Sequence, residues 1–145
     1  MDALDHRIID LLRQNARAAY GEIGAVIGLS PSAVKRRVDR LVADRVIRGF
    51  TIQVDPAVEG FGTEAYVEVF CRGTVSPDEL RRILSAVPEI VDAGTVTGDA
   101  DAILHMRSRD IRSLEDALER VRIAPNVDRT NSAIVLSRLI NRTPV

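Results

Sequence analysis

The chain has 145 residues, 46% of them hydrophobic, with a formal net charge of −1 and a mean hydropathy near zero. No apolar run approaches the roughly eighteen residues that a membrane span needs, and the acidic start Met1-Asp2-Ala3-Leu4-Asp5 lacks the regions of a signal peptide. The single cysteine, Cys71, excludes an intramolecular disulfide framework and fits a reducing cytoplasm.

Leu4 to about Ala16 reads as a first helix, with Leu4, Ile8, Leu11 and Leu12 on one stripe and Ile9 beside it. Tyr20 to Ile27 reads as a short second helix with Ile23, Val26 and Ile27 inward. Gly28-Leu29 then makes a tight turn, because glycine takes positive φ freely. Ser30 is a good N-cap and Pro31 suits the first helical position. Val34, Val38 and Leu41 follow at i, i+4, i+7. The opposite face carries Ser32, Ala33, Arg36, Asp39 and Arg40, with Lys35 and Arg37 on the flanks. Two readings stand for such a helix alone: a solvated basic face, or an element that enters the DNA major groove. A helix, a glycine-containing turn and a capped basic helix in sequence favour the second, as a helix-turn-helix.

Charge distribution agrees. Residues 31–50 hold six basic and two acidic side chains, whereas residues 61–145 hold eleven basic and thirteen acidic. The positive patch is therefore local, as suits a reader of DNA rather than a general polyanion binder. Phe50, Ile52 and Val54 alternate with Thr51 and Gln53 as a strand ended by Asp55-Pro56. Pro56, Gly60 and Gly62 mark residues 55–62 as a linker between a domain at 1–54 and another at 63–145.

The second half alternates strands and helices. Ala65 to Arg72 is a strand; Ser76-Pro77-Asp78-Glu79 caps a helix with Leu80, Ile83, Leu84 and Val87 inward. Ile90 to Thr97 and Ala102 to Arg107 are strands around the turn Gly98-Asp99-Ala100-Asp101. Asp110 starts a helix with Ile111, Leu114, Leu118 and Val121 inward, and a last strand covers Asn131 to Leu139. The order β-α-β-β-α-β is the ferredoxin-like pattern, with both helices on one face of an antiparallel sheet. The fold class is thus α+β, a three-helix helix-turn-helix domain followed by a ferredoxin-like domain. The open sheet face carries Tyr66 and Phe70 and is expected to be a dimer interface.

In this order the motifs resemble the Lrp/AsnC, or feast/famine, transcriptional regulators. Leu4-Asp5-His6-Arg7-Ile8-Ile9-Asp10-Leu11-Leu12 is similar to that family's opening helix, and Asn15-Ala16-Arg17 to the segment after it. Ile27-Gly28-Leu29-Ser30 and Arg37-Val38-Asp39-Arg40-Leu41 match its turn and recognition helix. Val46-Ile47-Arg48-Gly49-Phe50 with Asp55-Pro56 resembles its exit strand, and Thr97-Gly98-Asp99-Ala100-Asp101 its Gly-x-x-Asp hairpin. Three departures stand out: Ala19 in place of a Ser or Thr cap, Gly24 where Ala is typical, and Arg45 in place of a turn glycine. The first two are each expected to cost the second helix about 1 kcal/mol.

The expected DNA-binding residues are Ser30, Ser32, Ala33, Lys35, Arg36, Arg37 and Arg40. Arg36 and Arg40, one turn apart, have the reach for a bidentate guanine contact. Lys35 and Arg37 suit phosphates, and the resemblance supports Arg37 in that role; Asp39 is read as a partner of Lys35. The hairpin residues Thr97, Gly98, Asp99 and Asp101 read from composition alone as a polar turn. The resemblance makes them instead an effector-binding site for an amino acid, with Thr130 and Ser132 nearby. It also implies double-stranded DNA as partner and a homodimer that assembles further, to tetramers or octamers. No metal-ligand cluster or glycine-rich phosphate loop occurs, so no cofactor and no enzymatic activity are expected. The rival readings are an architectural DNA-wrapping protein without an effector, and a small ferredoxin-like enzyme.

Overall fold

The structure is a computed structural model in which residues 1–140 are described; the last five residues of the domain expected at 63–145 lie outside that description. The chain forms two compact units, the first spanning Met1–Gln53 and the second beginning at Val54.

The first unit packs α1 (Ala3–Gln14), α2 (Tyr20–Ile27) and α3 (Pro31–Ala43) around Ile8, Leu12, Ile23, Val34 and Val38. Helix α1 starts on a reciprocal cap: Asp2 Oδ1 accepts from Asp5 N at 2.9 Å, and Asp5 Oδ2 accepts from Asp2 N at 3.0 Å. Helix α3 starts as the sequence predicts, Ser30 Oγ accepting from Ala33 N at 3.2 Å with Pro31 at the first turn. Val26, expected inward, is 58% exposed. Gly24 takes the buried place on α2 beside Ile23, with the Leu29 carbonyl of the following turn folded against it.

Gly24 is a requirement of this turn rather than a weakness. A Cβ on it would lie 2.3 Å from the Leu29 carbonyl oxygen. Gly28 (φ 74°) and Leu29 both donate to the Gly24 carbonyl, closing α2 and aiming the chain at α3. Ala19 supplies no side-chain cap to α2, as expected, but Glu22 reaches back to accept from Ala19 N at 3.0 Å. Arg45 adopts φ 55° after α3, so a non-glycine residue does hold the left-handed turn.

The strand expected at residues 50–54 does not form. Residues 48–55 carry no regular element, and Phe50, Ile52 and Val54 are 51%, 78% and 39% exposed. An alternating pattern makes a strand only where a sheet edge meets its backbone groups, and among the described residues none does so.

The second unit contains β1 (Thr63–Cys71), α4 (Pro77–Leu84), β2 (Ile90–Thr95), β3 (Ala102–Ser108), α5 (Ile111–Arg122) and β4 (Val127–Ile134). Its antiparallel sheet has the order β2-β3-β1-β4. Alternation on β1 sends Ala65, Val67 and Val69 to the helix side, where they meet Leu80, Leu84, Leu104, Met106, Leu114, Leu118 and Val121. This is the ferredoxin-like arrangement expected from the sequence. Two local expectations are corrected. Ile111 is 64% exposed, with Ala117 filling the helix's inner face instead. Strand β4 starts four residues before the expected Asn131, directly after Asn126, whose φ of 67° makes the turn from α5.

Candidate nucleic-acid interface and effector hairpin

Helix α3 presents its N-terminus and one long face to solvent. Ser32 is exposed and its Oγ lies 3.1 Å from that of Ser30; Ala33 is half-buried. The four cations on the helix have different fates. Lys35 pairs with Asp39, Nζ to Oδ2 at 2.6 Å, as the spacing predicts. Arg36 is exposed and makes no ion pair among the described residues. Arg37 turns inward: its Nη1 donates to Asp2 Oδ2 at 2.7 Å and to Asp5 Oδ1 at 2.8 Å, and its side chain is only 22% exposed. Arg40 donates from Nη2 to Asp5 Oδ2 at 2.8 Å while its side chain stays 54% exposed.

Sequence reasoning missed Asp5, which is fully buried. Its signal was present: Asp5 shares the i, i+3, i+7 register of Ile8 and Leu12, so a carboxylate stands in the apolar stripe of α1. Burial pulls its carboxyl upward, but the Asp2 N–H and the Arg37 and Arg40 guanidiniums outweigh that and leave it below the usual carboxylate range. The hydrogen bond from Arg37 lowers the Asp2 carboxyl to about 2. Two of the cations that make residues 31–50 positive are therefore answered from α1 and its cap.

In the second unit, the connection from β2 to β3 carries the other candidate residues. Thr97, Gly98 and Asp99 are exposed, and Gly98 takes φ 114°. Asp101 is tied to the end of β1: its Oδ2 accepts from Cys71 N at 2.7 Å, and its own N–H donates to Val69 O at 2.9 Å. Burial, then the neighbouring Asp101, pushes the Cys71 thiol up. Thr130 faces the helix side, where Arg122 Nε donates to its Oγ1 at 3.3 Å. It pairs with Val69 and Ser132 with Val67, so β1 lies between these residues and the β2–β3 connection within one chain.

The open face of the sheet is more polar than its aromatics suggested. Tyr66 stacks on His105 with centroids 4.9 Å apart, and Arg129 lies 3.5 Å over the Phe70 ring. Glu64 bonds to His105 and Arg138, and Glu68 accepts from Asn131 at 2.8 Å.

Comparison with known proteins assigns both units. The AsnC-type helix-turn-helix domain matches residues 1–42, and the Lrp/AsnC ligand binding domain matches residues 64–145. The chain belongs to the Lrp/AsnC family of transcriptional regulators. It is 51% identical to the HTH-type transcriptional regulator Rv2324 of Mycobacterium tuberculosis, over 99% of this chain and 97% of that one. Among solved structures, Escherichia coli AsnC matches with a TM-score of 0.90 at 26% identity, covering 99% and 97% of the two chains. A feast or famine regulatory protein of M. tuberculosis, Rv3291c, solved in complex with L-methionine, matches with a TM-score of 0.87 at 31% identity, covering 97% and 95%. In this Lrp/AsnC regulator the first unit is the helix-turn-helix and the second is the ligand-binding domain. Its relatives are named as transcriptional regulators, and among the described residues no helix is long and apolar enough to cross a membrane.

Proposed function

We propose that α3 reads duplex DNA from the major groove, with Arg36 as its principal base-reading residue. The supporting observation is the division of charge on the helix: Lys35, Arg37 and Arg40 all have carboxylate partners, while Arg36 is exposed and makes no ion pair among the described residues. Arg40, half-exposed, reads or clamps alongside it. The exposed hydroxyls of Ser30 and Ser32, with the positive end of the helix dipole behind them and half-buried Ala33 beside them, receive a phosphate at the helix start. Lys35 lies at the rim, and Arg37 serves the site mainly by staying paired. In domain terms, residues 1–54 are the DNA-binding part, 55–62 the linker, and 63–145 the effector and assembly part.

A single small reading head makes few contacts, so specificity requires a second copy. We propose that the open face bearing Tyr66, Phe70 and Ile103 pairs two chains, setting two α3 helices on half-sites about 34–36 Å apart. Higher assembly, up to an octamer, follows the family pattern, and the protein works in the cytoplasm. The effector is an amino acid, held beside Thr97, Gly98 and Asp99, with Asp101 shaping the hairpin rather than binding directly. The ammonium meets Asp99 and the carboxylate the backbone near Gly98.

Arg36→Ala is expected to weaken specific DNA binding by about 1–3 kcal/mol and to relax base preference at one position of each half-site. A gel-shift series on duplexes selected from a random pool measures both; an unchanged preference removes Arg36 from the reading role. Calorimetric titration with the twenty amino acids is expected to show heat with at least one, lost in Asp99→Ala.

A further inference from the structure

The charge group under α3 serves neither the apolar core nor the free DNA-facing surface. Asp5 accepts three hydrogen bonds, from Arg37 Nη1 at 2.8 Å, Arg40 Nη2 at 2.8 Å and Asp2 N at 3.0 Å. The exposed Asp2 carboxylate takes Arg37 from the other side at 2.7 Å. A buried carboxylate is costly unless fully paired, and apolar residues of similar volume would hold α1 to α3 at least as well. What the ion group adds is control over two cations on the reading helix.

We infer that Asp5 is a positioning residue for DNA recognition: it withholds Arg37 from the phosphate backbone and fixes the direction of Arg40. The inference rests on the major-groove reading of α3 above. An unrestrained arginine binds any phosphate, which raises affinity for every sequence alike and so erodes discrimination. Anchored at Nη2 by a buried oxygen, Arg40 loses that freedom and keeps its remaining N–H donors for one bearing. Arg37, gripped by two carboxylates and largely covered, contributes little to non-specific attraction. Asp2 acts in the same sense from the surface.

The test is Asp5→Asn in the full chain, which keeps side-chain size while removing the charge that the two guanidiniums share and leaves Arg37 only the exposed Asp2. The probes are the duplex that the wild-type protein selects best from a randomised pool, and a random-sequence duplex of equal length. Released cations are expected to steepen the fall of log K with log salt by about 1, since each phosphate neutralised contributes about 0.9. The ratio of selected to random affinity is expected to fall by about tenfold, the scale of one good base contact. A purely structural staple predicts lower thermal stability with slope and ratio both unchanged, and that result in folded Asp5→Asn overturns the inference. Should Asp5→Asn fail to fold, Arg37→Gln in the full chain tests the same withholding from the other partner, since a guanidinium already held by Asp5 has no phosphate contact to lose. A salt slope equal to that of the wild type there supports the inference, and a slope shallower by about 1 would put Arg37 on a phosphate and overturn it. A wild-type protein that selects no sequence from the pool would instead defeat the major-groove reading itself.

Discussion

The two units of this regulator are held together by different physics. Among the described residues of the ligand-binding unit, fourteen buried apolar side chains form one continuous aliphatic core between sheet and helices. The helix-turn-helix unit has a core cluster of five, and supplements it with a buried carboxylate clamped by two arginines. A unit of about fifty residues buries too little apolar surface to be amply stable. Charge and close backbone contact take up the role that bulk plays in the larger unit. The smaller unit is thereby sensitive to single atoms and to protonation, the larger one to lost volume.

The sharpest test of the larger unit is Leu104→Ala. Leu104 is fully buried at the centre of β3, and the cavity left behind is expected to cost about 2–5 kcal/mol. Hydrogen exchange read peptide by peptide should show faster opening of residues 63–134 and unchanged protection of α1–α3. In the smaller unit the corresponding weak point is a hydrogen atom's replacement by a methyl group. Gly24→Ala would place its Cβ 2.3 Å from the Leu29 carbonyl, against backbone that cannot give way without moving the turn. The expected loss is about 1–3 kcal/mol, on the scale of core overpacking, although alanine is the better helix former. An increase in stability in Gly24→Ala would show that the α2–α3 turn is looser than the structure has it.

Acid should separate the units as well. The Asp2 carboxyl titrates at about 2 and that of Asp5 below its usual range, against roughly 4 in an unfolded chain. A depressed carboxylate pKa means that the stabilisation is complete above the unfolded value and is lost as pH falls through the folded one. The smaller unit is therefore expected to lose protection as pH drops from about 4 toward 2. The larger unit also holds carboxyls below their usual range, Glu64 against burial by its bonds to Arg138 and His105 and Asp110 by the Ser113 N–H. Its aliphatic core does not titrate, so its loss is expected to be the smaller. Amide exchange in α1 and α3 followed over that interval checks it, and equal loss in both units would remove the distinction.

Much of this was legible in the sequence, and the failures are informative. Tyr20–Ile27, the Ser30 cap, the inner faces of α3 and α4 and the β-α-β-β-α-β order follow from periodicity and local capping, which one segment determines alone. Gly24 was misjudged because helix propensity is local, whereas its need for glycine comes from Leu29 folding back five residues later. The expected strand at residues 50–54 had the pattern but no pairing partner, a matter no single segment can decide. On α3, helical geometry put Arg36 on the exposed face and paired Lys35 with Asp39, as the structure has them. It could not show that Arg37 and Arg40 are answered by Asp5, thirty-two and thirty-five residues earlier in the chain. Thr130 and Ser132 likewise required sheet order to place.

The finest comparison uses a device both units share. Ser30 and Ser76 are N-caps with the same backbone geometry, φ −69° and ψ 153° against φ −70° and ψ 152°, each followed by proline. Each hydroxyl accepts from the N–H three residues on, at 3.2 Å and 3.3 Å. Substitution by alanine should therefore cost the two helices about the same, near 1 kcal/mol. The consequences should differ. In Ser76→Ala the loss falls on α4, whose Leu80 and Leu84 remain seated in a large core, and DNA affinity should not change. In Ser30→Ala the same loss falls on the end of α3 that we propose meets DNA, so affinity should drop by more than the stability change explains. Parallel melting and gel-shift measurements on the two variants give that difference directly. Equal DNA affinity in both would mean that the start of α3 stays off the duplex, and that contact begins further along, at Arg36.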